Sequence, residues 1–220
     1  MRLAIFDFDG TLYEKETFQL LMDHLKTHPI YHTKYKKFIR ASLPPYVANK
    51  LKLYPKQRMK ERLMQIYARN LQGISEDELH TLFEALAGKM KPDFNEDVCE
   101  RLQNHHENGE YVMVVSGAYD LLLEKSLQHL PIDTMIGTHI PITDGHIDLD
   151  APIYPIQGLR KNEKIEAFIQ GKNIDWDNSY AYGDSFTDVS VLELVGHPVA
   201  VNPEESLEKV AIQRNWEVIA

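Results

Sequence analysis

The stretch Leu3-Ala4-Ile5-Phe6-Asp7-Phe8-Asp9-Gly10-Thr11-Leu12 constrains this chain more than any other. Four consecutive apolar residues read as a buried strand, and the run then breaks on two acids. Strand alternation points Asp7 and Asp9 to the same side of the backbone, one step apart. Gly10-Thr11 supplies a turn and a hydroxyl. A strand that ends in acids leaves them at the C-terminal edge of its sheet, where α/β sheets form their ligand crevice. Buried carboxylates without a counter-charge are costly, so a positive group is expected between them.

After Leu12 the pattern is helical for a long way. Phe18, Leu21, Met22 and Leu25 recur at helical spacing, and Met59, Leu63 and Ile66 mark a second helix over 56–71. Ser75-Glu76-Asp77-Glu78 reads as a capping box, opening a helix striped by Leu79, Leu82, Phe83 and Leu86, with Gly88 as its stop. Residues 26–55, with Pro44-Pro45, show no clean period. Past Pro92 the pattern changes to alternating helix and strand. A helix over 95–107 precedes the buried strand 111–115, and Ser116-Gly117 then leads into a helix reaching about Leu130. A short strand near 134–137, a hairpin turning on Asp144-Gly145, a helix over 162–170 and strands at 179–182 and 198–201 follow. This alternation argues for an α/β chain with a parallel, helix-flanked sheet. The first strand is thereby separated from its partners by about 80 helical residues, roughly the size of a small inserted unit. The expected organisation is a core of 1–13 and 93–220 with a helical cap of 14–92 over the crevice.

Charge supports that division. The net charge of −9 splits into +7 over residues 14–92 and −16 over the remainder. Residues 26–69 alone carry 12 Lys and Arg against one acid, Glu61. Such a face is ordinarily solvated, and it also suits steering of phosphorylated substrates or contact with a polyanion.

Two further segments carry chemistry. Ser116-Gly117 ends a strand beside the next helix, where a hydroxyl and backbone N–H groups suit an anionic oxygen. Tyr182-Gly183-Asp184-Ser185-Phe186-Thr187-Asp188 ends another strand in Gly-Asp, with a second acid at i+4. Asp7, Asp9, Asp184 and Asp188 are the candidate ligands of a hard cation such as Mg²⁺, which takes a few carboxylates, waters and substrate phosphate. Lys161 and Lys164 both lie near a helix start, where a lysine opposes the helix dipole. The ten histidines are scattered, and His24, His28 and His32 are interrupted by Pro29, so no histidine metal site is expected.

Asp-Phe-Asp-Gly-Thr-Leu resembles the first motif of the haloacid dehalogenase-like superfamily, and the later segments resemble its other motifs in order. The resemblance is closest to the phosphoserine phosphatase-like branch and implies a Rossmann-like core with a helical cap between the first two motifs. It also implies phosphate-monoester hydrolysis through an aspartyl-phosphate, with Mg²⁺. Asp7 would be the nucleophile and Asp9 the acid and base, with Thr11, Ser116 and Gly117 against the phosphate. The third motif favours Lys164 over Lys161 as the charge holding nucleophile and phosphoryl group. Glu16 matches the glutamate that meets the substrate's amino group in phosphoserine phosphatases, and Arg58 and Arg62 are candidates for the cap arginine. A phosphoserine-like or other amino-alcohol phosphate is the expected substrate. A phosphotransferase or mutase, or a phosphatase of nucleotides or sugar phosphates, is the alternative.

The single cysteine, Cys99, excludes an internal disulfide and fits a reducing compartment. No apolar run approaches membrane-spanning length and no charged leader precedes the first strand, so a soluble, cytoplasmic protein is expected. No nucleic-acid partner is expected, the basic segment being the one feature that leaves it open.

Overall fold

The computed structural model describes residues 1–29 and 31–220, the side chains of Lys56 and Gln57 excepted. Strand β1 (Leu3–Phe6) is followed by four helices, α1 (Thr17–Thr27), α2 (His32–Lys50), α3 (Lys56–Asn70) and α4 (Glu76–Met90). Then come α5 (Glu96–Glu107), β2 (Tyr111–Tyr119), α6 (Asp120–Ser126), β3 (Thr134–Thr138) and the hairpin of β4 (Ile142–Thr143) and β5 (His146–Ile147). The chain finishes with α7 (Leu159–Ile169), β6 (Tyr180–Gly183), α8 (Val189–Leu192), β7 (His197–Val201), α9 (Glu205–Arg214) and β8 (Glu217–Ile219).

Six strands pair in parallel in the order β3-β2-β1-β6-β7-β8. The chain steps outward from β1 through β2 and β3, then returns to the other side of β1 with β6. The reversal therefore lies between β1 and β6, and the crevice beyond their C-terminal ends is the usual ligand position in such sheets. Alternation divides β1 between two cores. Leu3 and Ile5 join Met113, Val115 and Ala181 beneath α7 and α9, while Ala4 and Phe6 join Val112, Val114 and Tyr182 on the opposite face. Covered on both faces, these strands have no polar side to show, which explains their unbroken apolar runs.

The second core runs on without a break into the inserted helices, taking in Leu21, Leu25, Phe38, Tyr67, Phe83 and Leu86. The Tyr119 hydroxyl donates to the Met64 carbonyl (2.9 Å), and Glu76 N–H donates to the Gly145 carbonyl at the hairpin turn (2.9 Å). Arg160 pairs with Glu61 at 2.6 Å. No described helix is long and apolar enough to cross a membrane.

The elements depart from expectation in several places. Residues 32–50 form one helix although Pro44 and Pro45 lie inside it. Each proline removes an N–H from the ladder, but the carbonyls left over belong to Arg40 and Ala41, both exposed and open to water. Gly88 does not stop α4, which continues to the buried Met90 and ends before Pro92. Strand β2 runs past Val115 through Ser116-Gly117 to Tyr119, and α6 ends at Ser126 rather than near Leu130. The last helix and edge strand, α9 and β8, had no clear signal, since β8 is three residues long and mostly exposed.

Candidate active site

The loop after β1 is built by its own backbone. Thr11 and Tyr13 N–H groups both donate to the Phe8 carbonyl (3.2 and 2.9 Å), and Gly10 N–H donates to the Tyr13 carbonyl (2.7 Å). Phe8 is fully buried against Tyr13 and Phe94, so its neighbours Asp7 and Asp9 turn the other way, into the crevice. Gly10 is held at φ +77°, and a Cβ there would lie 2.3 Å from Asp184 Oδ2. Only glycine lets the β1 and β6 loops approach this closely.

Ligand oxygens of Asp7, Asp184 and Asp188 lie within 4.8 Å of one another. A positive group was expected between Asp7 and Asp9; Lys161 instead stands between Asp7 and Asp188. Its Nζ lies 2.7 Å from Asp7 Oδ1 and 2.6 Å from Asp188 Oδ1, and lysine and Asp188 are both buried. Asp188 is fixed in turn by the Ser185 N–H (3.2 Å) and hydroxyl (2.8 Å). Asn162 and Ser190 exchange hydrogen bonds (2.8 and 2.7 Å), clamping the start of α7 to α8 and so setting the height of Lys161.

Lys164 is therefore not the lysine of the site. Helix α7 starts at Leu159, not at 162, which puts Lys161 on the buried face one turn before Ile165 and leaves Lys164 exposed. The carboxylate of Asp9 also departs from expectation: it stands outside the three-acid cluster. Its two oxygens accept from Thr17 N–H (3.0 Å) and Thr17 Oγ1 (2.9 Å) at the head of α1. Thr11 is corrected as well. It is fully buried, its hydroxyl has no partner, and it lines neither of the cavities described below.

Burial dominates the electrostatics. It lifts Asp7 to about 6, the nearby Lys161 opposing and Asp188 adding to the shift. Asp9 rises to about 7 through burial and the like charges of Glu16 and Asp7. Asp184 rises to about 8 through burial, with Asp7, Asp188 and Glu16 adding. Burial works against the charge of Lys161, yet Asp188 and Asp7 hold it above the usual lysine range. Once their protons are displaced, the three carboxylates and the one ammonium leave a net −2 on an all-oxygen donor set, which fits a hard divalent cation in both charge and chemistry.

Two cavities meet over these groups. A polar one of about 100 Å³ reaches Asp7, Ser116, Lys161 and Asp184; an apolar one of about 190 Å³ lies toward the inserted helices. Asp9, Glu16, Lys60, Gly117 and Gln157 line both and form the wall between them. Ser116 is buried, with its Oγ accepting from Ala118 N–H (3.1 Å). Gly117 packs closely against the Gln157 side chain: a Cβ there would meet Nε2 at 2.7 Å, and Gln157 would have to shift to admit it. Arg58 and Arg62 are exposed and line neither cavity. Thr17, Lys60 and Gln157 were missed in the sequence, for they reach the crevice through packing of distant segments, with no local motif to mark them.

A parallel sheet with an acid after its first strand, two more after β6 and a buried lysine among them defines a class. The chain matches the haloacid dehalogenase-like hydrolase model over residues 4–193 and belongs to that family. It is 29% identical over 150 residues to a Streptomyces azureus protein named "Inhibition of morphological differentiation protein", covering 68% of this chain and 53% of that one. It is 24% identical over 210 residues to phosphoserine phosphatase of Archaeoglobus fulgidus, covering 96% and 55%. The chain thus spans about half the length of these curated relatives. A crystal structure of a protein of unknown function from Bordetella pertussis Tohama I shares the fold, with a TM-score of 0.80 at 20% identity over 100% of this chain and 98% of that one.

Proposed function

We propose that this chain hydrolyses a small phosphate monoester through a transient aspartyl-phosphate on Asp7. The observation that carries this reading is the buried Lys161 bonded to Asp7 and Asp188, beside an Asp9 whose carboxyl is raised to about 7. Family membership and the phosphatase name of a relative support it.

The Asp7 carboxylate attacks phosphorus while the bond to the ester oxygen breaks, and Asp9 gives that oxygen its proton. Thr17 holds Asp9 in place for this transfer through the two hydrogen bonds to its oxygens. Asp9, now ionised, accepts a proton from water, whose oxygen attacks phosphorus; the bond to Asp7 breaks and inorganic phosphate leaves. Lys161, the Ser116 hydroxyl and backbone N–H groups near Gly117 spread the charge of the transferring group. Asp7, Asp184 and Asp188 would hold Mg²⁺, which supplies positive charge for the phosphate oxygens and keeps Asp7 ionised. Residues 14–92 act as a cap, in keeping with Glu16 and Lys60 reaching the crevice from that segment. A phosphoserine-like or other amino-alcohol phosphate remains the family-based substrate reading.

Asp7→Asn tests the assignment directly. Phosphate release should fall by at least about 10³-fold with no loss of the folded baseline in circular dichroism. Substantial residual turnover would remove Asp7 as the nucleophile.

A further inference from the structure

The apolar cavity has no role in the chemistry above. Its charged lining residues, Asp9, Glu16 and Lys60, all stand on the wall shared with the polar cavity. Beyond that wall it is made by Phe18, Leu21, Met59, Leu63, Met64 and Tyr119, with Ala118 at its edge. Two polar groups remain, and both are spent elsewhere. Thr17 gives its N–H and hydroxyl to Asp9, and the Tyr119 hydroxyl goes to the Met64 carbonyl. Among the described residues beyond that wall, a ligand's polar atoms would find no free side-chain partner, and leaving them unpaired is costly. Among the described residues no arginine lines either cavity, so the planar fork that best holds a carboxylate is missing.

Position adds direction to this chemistry. With phosphorus over Asp7 and the ester oxygen at Asp9, the rest of the alcohol leaves past Asp9, and the next space is the apolar chamber. We infer that this chamber is a subsite for an apolar leaving group, so that the substrate class is the phosphate monoester of a hydrophobic alcohol or phenol rather than of an amino acid. The inference rests on the hydrolase reading for its orientation. Its size is suitable: a dry cavity of about 150 Å³ takes a benzene ring, and this one has about 190 Å³. An alkyl chain of roughly six carbons or a phenyl group fills such a space.

Two measurements on the full chain with Mg²⁺ keep the inference and the hydrolase reading apart. The first is calorimetric binding of methyl-, butyl- and hexylphosphonate, which cannot be hydrolysed. Affinity should rise about fourfold per added methylene until the chamber is full. Met59 is partly exposed, so Met59→Glu should fold, and it should flatten that rise while Met59→Leu keeps it. A flat series in the parent protein overturns the subsite. The second is phosphate release from hexyl phosphate against O-phosphoserine. A kcat/KM preference of at least about 100-fold for the hexyl ester is expected, and preference for phosphoserine overturns the substrate class. Release from neither, with the phosphonate rise intact, removes the hydrolase reading and leaves the subsite standing.

Discussion

The two walls of the crevice have different origins. The sheet-edge wall is made at strand ends: Asp7 follows β1 and Asp184 follows β6, with Asp188 four residues on. The helical wall is made by packing, and Glu16, Lys60 and Met59 reach it from helices whose positions depend on the whole apolar core. A strand end fixes a side chain within a residue or two of the backbone rule that places it. A helix face fixes one only after the helix has docked. The contrast teaches that reacting groups are encoded locally, whereas the shape of the space offered to the substrate is not.

Lysine exchange tests the sheet-edge wall and has the largest expected effect. Lys161→Met removes the cation bonded to Asp7 and Asp188 and leaves buried acids facing one another. It should cost about 3 kcal/mol of stability, read from urea midpoints, and lower kcat by at least about 100-fold. Lys164→Met, on the exposed face of the same helix, should leave both readings unchanged. The reverse ranking would break the assignment of α7.

That pair also shows where the sequence stopped being readable. The acids after β1 and β6 stand out because charged residues ending apolar strands have few other places to go. The choice between Lys161 and Lys164 depends on where a helix starts. A start at 162 leaves Lys161 outside the helix, whereas the start at 159 puts it in the first turn, four residues before the buried Ile165 and on the same face. Thr17 was invisible for a different reason. Its bonds to Asp9 close an eight-residue loop that no spacing rule describes. Helix α2 was hidden by Pro44-Pro45, whose lost hydrogen bonds water makes good on the exposed side. The parallel sheet, by contrast, was legible from unbroken apolar runs at helix-spaced intervals.

The acid cluster gives a prediction of intermediate size. Asp7, Asp9 and Asp184 have folded values raised from 3.8 to about 6, 7 and 8. Between 3.8 and those values the native state binds more protons than the unfolded chain, so their contribution to stability falls as pH rises through the window. A cation on the oxygens of Asp7 and Asp184 replaces the protons of those two. The rise in thermal midpoint on adding Mg²⁺ should therefore be small at pH 5.5 and larger at pH 8.5. At 100 times the dissociation constant it amounts to about 2.7 kcal/mol. Asp184→Asn should remove most of the pH dependence. A midpoint shift equal at both pH values would show that the cluster does not exchange protons for the cation.

The smallest effect sharpens the comparison from within the helical wall. Helix α4 has its start written locally. The Ser75 hydroxyl accepts from Glu78 N–H (3.3 Å), and the Glu78 carboxylate accepts from Ser75 N–H (2.9 Å). Three acids in its first turn also suit the helix dipole. Ser75→Ala should cost about 1 kcal/mol in urea unfolding, the ordinary worth of such a cap. Because α4 shares its buried core with the sheet, that loss should shift the whole unfolding transition and leave kcat unaltered. If the insertion instead melts ahead of the sheet in Ser75→Ala, two transitions will separate. The two walls would then differ in cooperativity as well as in origin, with the helical one free to open while the acids stay assembled.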